Sequence, residues 1–182
     1  MVSITIDDNL LLRSYEVGDA QELFDLVNES RRHLHPWLDW VVNTTKPEHS
    51  LQFIQQSQHK TYEQEALDLA IVHNNKIIGG IGVHHWEQDT KRAQIGYWIS
   101  AAYEGKGLMN KSLSGFVNFL FDKIALNKIE IHFVRANERS AKIAARLGFK
   151  IEGIIRQSTM RNGMPEDVVV AGLLKNERPS SS

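Results

Sequence analysis

Residues 93–124 place an apolar strand, a glycine turn and a long amphipathic helix in direct succession. Residues 95–99 form the short apolar run of a strand, and the turn at 104–107 holds two glycines one residue apart. Beyond the turn, apolar residues recur at helical spacing and polar residues fill the other face; the apolar set is Met109, Leu113, Phe116, Val117, Leu120, Phe121 and Ile124. A strand therefore leads into a helix through a loop whose amides are free.

This loop is suited to binding phosphate. The first four N–H groups of a helix have no intrahelical acceptor, the helix dipole adds partial positive charge, and glycine lets a ligand approach the backbone. Lys106, between Gly105 and Gly107, could add a point charge. The alternative is an ordinary tight turn with a solvated lysine. The chain has no Gly-x-x-x-x-Gly-Lys-Ser/Thr run, and Asn110 replaces the third glycine of a dinucleotide motif, which argues against both of those nucleotide sites.

The composition predicts a single globular domain. Of the 182 residues, 42% are hydrophobic and 24% are charged, and the net charge of −1 gives no reason to expect nucleic-acid or membrane binding. The absence of cysteine excludes disulfides, thiolate metal ligands and a cysteine nucleophile. No signal-peptide pattern and no run of 18 apolar residues occurs, so we expect a cytoplasmic protein. We expect a domain over residues 1–176 and a disordered tail, beginning near Lys175 and including residues 177–182.

Strand and helix patterns alternate along the rest of the chain. We predict strands at residues 10–15, 67–73, 76–86, 128–136, 149–157 and 168–174. Helices are predicted to begin near Asp19, as part of a capping box with Glu22, at Pro47 and after Asn137. Asn74-Asn75 predicts a hairpin turn, and the glycines at 79, 80 and 82 indicate close packing within a strand rather than a phosphate loop. The fold class is α/β or α+β, with a mixed, mostly antiparallel sheet flanked by helices.

Five short motifs follow one another in a recognisable order. They are Gly96-Tyr97-Trp98-Ile99, Tyr103-Glu104-Gly105-Lys106-Gly107-Leu108-Met109, Asn137-Glu138-Arg139-Ser140, Leu147-Gly148-Phe149 and Glu152-Gly153. This series resembles the Gcn5-related N-acetyltransferases (GNAT), and within them the branch that acetylates the N-termini of ribosomal proteins. The likeness covers nearly the whole chain.

The resemblance implies an acetyl-CoA-dependent N-acetyltransferase in which strands 95–99 and 128–136 splay apart to admit the pantetheine arm. It implies cofactor contacts at Trp98, Ile99, Gly105, Lys106, Gly107, Leu108, Met109 and Asn137. Met109 and Glu104 depart from the usual family residues, and Glu104 is assigned no side-chain contact with the diphosphate because its charge has the wrong sign. The implied acceptor is a protein N-terminus, possibly of a ribosomal protein, and the implied assembly is a homodimer or larger. The alternatives are a small amine or antibiotic as acceptor, or a module that binds CoA without catalysis.

Residues 30–40 concentrate histidine, arginine and tryptophan around Pro36. We expect His33, Trp37 and Trp40 to line the acceptor cleft, together with His85 at the end of a predicted strand. The alternative is a packing plug in which the tryptophans are buried against the sheet. No metal site is expected, because His33 has no carboxylate nearby at ligand spacing.

Ser140 is the candidate general acid. The resemblance implies that its hydroxyl donates a proton to the departing sulfur, whereas the alternative is a first-turn serine bonded to the helix backbone. Thr159 stands where the family's carboxylate base belongs, which leaves Glu87, His85 or a water for that role. A strong base is dispensable, because an N-terminal amine with a pKa of about 7.7 to 8.0 has an appreciable neutral fraction near pH 7.5.

Overall fold

The computed structural model describes residues 1–178, which form one mixed sheet flanked by helices on both faces. Within these residues eight strands lie in the order β1-β2-β3-β4-β5-β6-β8-β7. Their bounds are β1 Ser3–Asp7, β2 Leu10–Ser14, β3 Leu67–His73, β4 Lys76–Glu87, β5 Arg92–Ile99, β6 Lys128–Val134, β7 Lys150–Arg161 and β8 Met164–Leu174. Every neighbouring pair is antiparallel except β5 and β6, which are parallel. The predicted mixed, mostly antiparallel sheet is confirmed.

The parallel pair separates along its length. Hydrogen-bonded pairing between β5 and β6 runs from Arg92 opposite Lys128 to Ile95 opposite Ile131. Both strands continue beyond that point, β5 to Ile99 and β6 to Val134. The sheet therefore has an opening between the carboxyl ends of its two central strands, and the last four residues of β5 have no partner on that side.

The helices cover the two faces of the sheet and enclose two cores. They are α1 Ala20–Glu29, α2 Arg31–Leu34, α3 Pro47–Tyr62, α4 Leu108–Asp122 and α5 Glu138–Arg146. On one face, α4 buries Leu113, Phe116, Leu120 and Phe121 against Ile71 and other strand residues. On the opposite face, α1 and α3 pack through residues such as Leu23, Val27 and Ile54 against the sheet. The helix stripe predicted in residues 109–124 is thus the core-facing side of α4.

The predicted hairpin turn and glycine run take the expected form. Asn74 and Asn75 both have positive φ, 50° and 62°, as the favoured two-residue hairpin turn requires. A Cβ added at Gly79 would lie 2.2 Å from the carbonyl oxygen of Trp98, and one at Gly80 would lie 2.7 Å from the Trp98 indole nitrogen. The glycines therefore allow close approach to a bulky neighbour, which confirms the packing interpretation.

The structure corrects several local expectations. Residues 3–7 form an additional edge strand, and the last strand begins at Met164, four residues before the predicted start at 168. Asp19 and Glu22 do not cap each other: Asp19 accepts hydrogen bonds from Arg13 and from the Glu16 amide, and Glu22 accepts one from the Ile77 amide. Partners outside the helix thus compete successfully with the predicted capping box.

Residues 175–178, at the start of the expected tail, form contacts with the domain. Lys175–Glu177 form a 3₁₀ turn, in which Glu177 pairs with Lys150. Arg178 pairs with Asp122 at 2.8 Å. The remaining residues of the predicted tail, 179–182, lie outside the described residues. No helix within residues 1–178 is long and apolar enough to cross a membrane.

Candidate active site

A cavity of about 820 Å³ occupies the opening between β5 and β6. We call it the cleft cavity. Its walls come from the ends of both strands, the N-terminal turns of α4 and α5, and the segment around α2. Of the residues predicted to bind the cofactor, all but Lys106 line it, namely Trp98, Ile99, Gly105, Gly107, Leu108, Met109 and Asn137. The separated strands and two helix starts therefore converge on a single space.

The N-terminus of α4 presents free amides to the cleft cavity. Gly107 caps the helix with a φ of 75°, in the left-handed region that favours glycine. The first intrahelical hydrogen bond runs from the Lys111 amide to the Gly107 carbonyl at 3.1 Å, so the amides of residues 108–110 have no acceptor in their own helix. A Cβ added at Gly105 or Gly107 would meet no atom within 4 Å. The loop is open on its cavity side and has the geometry of an anion cradle.

Lys106 is held away from the cradle. Its ammonium donates a hydrogen bond to the Ala102 carbonyl at 2.8 Å and lies 5.1 Å from the centre of the Tyr103 ring. It does not line the cleft cavity. The side chain is exposed, so a ligand could draw it inward, but in this structure its charge belongs to the outer surface.

A three-residue ion bridge crosses the mouth of the cleft cavity. The Glu104 carboxylate accepts from Arg139 at 2.6 and 2.8 Å, and His33 lies 2.8 Å from the same carboxylate. Arg139 belongs to α5 and His33 to α2, so Glu104 links two elements on either side of the cradle. The negative charge that is unsuited to a diphosphate is thereby neutralised within the protein.

Ser140 lies at the N-terminus of α5, with its hydroxyl turned toward β5. The side chain of Asn137 caps this helix by accepting from the Ser140 amide at 3.1 Å. The Ser140 hydroxyl lies 2.8 Å from the Tyr97 hydroxyl, so its hydrogen bond goes across the cleft rather than to the helix backbone. Burial raises the pKa of the Tyr97 phenol, and the hydrogen bond with Ser140 acts in the opposite direction. Two hydroxyls thus form a short donor chain in the cleft cavity.

The candidate bases lie apart from this pair. Glu87, at the end of β4, pairs with Arg92 and accepts from Thr90, and these hydrogen bonds lower the pKa of its carboxyl. Neither Glu87 nor His85 lines the cleft cavity, whereas Thr159 does. The structure therefore places neither Glu87 nor His85 in the cavity that contains Ser140.

A second cavity, of about 790 Å³, lies between the sheet and the helices α1 and α3. We call it the helix-side cavity. It shares Leu38, Gly96, Tyr97 and Trp98 with the cleft cavity. The two spaces therefore meet at β5, just past the last residue that pairs with β6.

The predicted acceptor residues divide between the two cavities. His33 and Trp37 line the cleft cavity, where the Arg161 guanidinium lies 5.2 Å from the Trp37 ring. Trp40 lines the helix-side cavity and stacks edge-to-face on Trp98, with ring centres 5.8 Å apart. His85 lines neither, but the adjacent His84 lines the helix-side cavity.

Sequence reasoning missed several polar residues that line these cavities, among them Tyr97, Asp68 and His84. Tyr97 stands within a quoted motif, and alternation along β5 could have assigned it to the same face as the buried Ile95 and Ile99. Asp68 and His84 had no such signal. Their proximity depends on the register of β3, β4 and β5.

Comparison with known proteins agrees with this architecture. The profile of the acetyltransferase (GNAT) domain matches residues 9–150. A Bacillus subtilis protein named "Putative ribosomal N-acetyltransferase YdaF" is 28% identical over 178 residues, covering 97% of each chain. The ribosomal-protein-serine acetyltransferase of Escherichia coli is 24% identical over 91% of this chain and 93% of its own.

A solved structure gives the same result at the level of the fold. The structure of RimL, a ribosomal L7/L12 alpha-N-protein acetyltransferase in complex with coenzyme A, superposes with a TM-score of 0.92 at 25% identity. The match covers 95% of this chain and 98% of that one. The domain profile, the two relatives and the opened sheet agree with one another, and the chain belongs to the GNAT family of acetyltransferases.

Proposed function

We propose that this protein transfers the acetyl group of acetyl-CoA to the N-terminal α-amine of a protein, with a ribosomal protein as the first candidate. The observation that carries the proposal is the meeting of two cavities at Gly96–Trp98, beside the Tyr97 and Ser140 hydroxyls. A thioester in one cavity and an amine in the other would reach each other there. Transfer is then direct, within a ternary complex.

The cleft cavity accounts for the binding of acetyl-CoA. Its diphosphate is matched by the free amides at the start of α4 and by the open space at Gly105 and Gly107. The pantetheine arm is matched by the opening between β5 and β6, where β5 beyond Ile95 pairs with β4 but has no partner strand on the β6 side. Asn110 also lines this cavity with a buried side-chain oxygen that has no hydrogen-bond partner within the described residues. A ligand with amide or hydroxyl donors would satisfy it.

The two hydroxyls account for the proton that the leaving group needs. When the neutral amine attacks the thioester carbon, a C–N bond forms and the C–S bond breaks, which leaves a thiolate. Ser140 donates a proton to that sulfur, and Tyr97, hydrogen-bonded to Ser140 at 2.8 Å, orients it and returns a proton. No protein nucleophile is needed, and the chain has no cysteine to supply a thiol.

A protein N-terminus is favoured as the acceptor because the helix-side cavity is large, open and lined by aromatic and polar side chains. Its size of about 790 Å³ is suited to the first few residues of an extended chain rather than to a lone amine. Two relatives are named as a putative ribosomal N-acetyltransferase and as a ribosomal-protein-serine acetyltransferase, and these names support the same class of acceptor.

An acceptor screen tests this proposal. Purified protein and acetyl-CoA are incubated with hexapeptides that begin with a free serine or alanine, with the same peptides blocked at the N-terminus, and with small primary amines. We expect the free peptides to gain one acetyl group at the α-amine and the blocked peptides to gain none. Faster acetylation of a small amine than of any peptide would reject the protein N-terminus, and CoA binding with no acetylation at all would indicate a non-catalytic module.

A further inference from the structure

The helix-side cavity has a polar end built on a floor of glycines. Gly82 of β4 pairs with Asp68 of β3 on one side and with Gly96 of β5 on the other, so the three residues lie in one row facing α3. A Cβ added at Gly82 would lie 2.5 Å from a carboxylate oxygen of Asp68, and one at Gly96 would lie 3.2 Å from Nε2 of His84. The side chains of Asp68 and His84 therefore lie over the sheet, in the space above the two glycines.

This polar end adjoins the opening in the sheet. Gly96 follows Ile95, the last residue of β5 that pairs with β6, and it lines both cavities. Because the imidazole of His84 rests over Gly96, the structure brings a histidine nitrogen as well as the Tyr97 hydroxyl to the junction of the two cavities. The half-buried carboxylate of Asp68 lies at the other end of the same row, with Gly82 between Asp68 and Gly96.

The charges around Asp68 favour a cationic ligand. Within residues 1–178, no lysine, arginine or histidine nitrogen lies within 4.0 Å of its carboxylate. Burial raises the pKa of the Asp68 carboxyl, while His84, Ser57 and Lys60 favour its charged form. The other titratable groups that line this cavity are Tyr15, His49 and Tyr97, and the Tyr97 hydroxyl is hydrogen-bonded to Ser140. A half-buried carboxylate without an ion-pair partner is best satisfied by a positive charge from outside the protein.

We propose that Asp68 and His84 form the amine-binding end of the helix-side cavity, where Asp68 holds the acceptor's ammonium group and His84 accepts the proton that it loses. This inference rests on the proposed function, since it assumes an amine acceptor. One ammonium proton passes to His84 and then to solvent. After the C–N bond forms, a second proton leaves the nitrogen and balances the one that Ser140 gives to sulfur.

The remaining walls define the class of amine. Trp40 and Trp98 form an aromatic wall at an edge-to-face angle of 61°, and the Tyr15 hydroxyl and the Trp98 indole nitrogen converge over Gly80. Aromatic faces attract cations, and these two polar groups can bond the peptide groups that follow an N-terminus. The site fits a charged primary amine that carries an extended amide chain.

Two variants and two matched controls test the assignment. His84→Gln and Asp68→Asn remove the two functional groups, while His59→Gln and Asp25→Asn make the same changes at exposed positions on α3 and α1 that line neither cavity. Kinetics use whichever free amine the screen shows to be acetylated, whether it is a peptide or a small amine. The test therefore still applies if protein N-termini prove not to be the acceptor. We expect His84→Gln to lower kcat at least about tenfold and to remove one ionisation from its pH profile. Asp68→Asn should raise the acceptor KM about tenfold with unchanged acetyl-CoA affinity.

A binding titration supplies a readout that needs no turnover. Trp40 and Trp98 line the cavity, so tryptophan fluorescence of the CoA-loaded protein should change when the free-serine hexapeptide is added, and Asp68→Asn should weaken that binding. If no amine is acetylated, the proposed function fails and this titration alone decides the amine site. Variants within twofold of wild type in kcat, KM and peptide binding would overturn the inference. So would an equal loss of acetyl-CoA affinity in both variants, because that would indicate a structural role.

Discussion

The hydroxyl oxygens of Tyr97 and Ser140 lie 2.8 Å apart and join β5 to the first turn of α5 across the cleft cavity. The Ser140 amide is already capped by Asn137, so the hydroxyl is not needed to satisfy the helix. Under the proposed function, its contact with a half-buried phenol supplies a donor for the departing thiolate. A serine whose only task was to cap α5 would have no reason to reach β5.

Replacing Ser140 by alanine tests the role of this donor. We expect Ser140→Ala to retain its circular dichroism spectrum and acetyl-CoA affinity but to lose on the order of 10²-fold in kcat, the low end of general-acid effects. Tyr97→Phe should lose less, because the serine hydroxyl remains. Turnover of Ser140→Ala within a factor of two of wild type, measured where chemistry limits the rate, would reject Ser140 as the acid.

Substitution of Gly107 tests the phosphate cradle. At a φ of 75° a valine is strained, and its side chain would occupy the open space that the diphosphate needs. Calorimetric titration should show no acetyl-CoA binding to Gly107→Val and weakened binding to Gly107→Ala. Lys106→Ala should change the affinity less than about threefold, since its charge lies outside the cavity. Unchanged affinity in a folded Gly107→Val would contradict the cradle.

The ion bridge at the cavity mouth predicts an interaction between two substitutions. Arg139→Gln leaves the Glu104 charge less compensated, so we expect acetyl-CoA affinity to fall about threefold, and further at low ionic strength. In a Glu104→Gln background, the same change should have little effect. An equal loss in both backgrounds would mean that Arg139 contacts the cofactor directly.

The buried pair between Arg13 and Asp19 predicts a pH dependence of stability. Burial alone would raise the pKa of Asp19, but the hydrogen bonds from Arg13 at 2.6 and 2.8 Å and from the Glu16 amide hold the pKa below its ordinary value. A carboxyl whose folded pKa is lowered stabilises the protein above its unfolded pKa, and this stabilisation is lost as the pH falls. Urea unfolding from pH 7 to pH 3 should show a smaller loss for Asp19→Asn than for wild type. Arg13→Met at pH 7 should cost about 3 kcal/mol. An identical pH slope in wild type and Asp19→Asn would refute this role.

Local patterns in the sequence were enough to predict most elements. The stripe of α4, the Asn74-Asn75 turn and the Asn137 cap each depend on residues close together in the chain, and each appears where the pattern indicates. The capping box at Asp19 failed because a competing partner, Arg13, comes from a neighbouring strand. Local signals therefore hold until a tertiary contact satisfies the same polar group better.

The site could be predicted only in part, for the same reason. The cradle at residues 105–109 is a continuous motif, so its residues could be predicted together, although Lys106 does not line the cleft cavity. The partner of Ser140 is 43 positions away, and the row from Asp68 through Gly82 to Gly96 depends on the register of three strands. The spacing of these residues in the sequence does not predict their alignment, because the alignment depends on how the strands pair.

The central claim is that acetyl-CoA and the acceptor occupy the two cavities together and react at their junction. Initial rates measured while both substrates are varied test it most directly. We predict intersecting double-reciprocal lines, and an intact-protein mass that is unchanged after incubation with acetyl-CoA alone. Parallel lines, accompanied by a protein that has gained one acetyl group and passes it to the acceptor, would contradict the account.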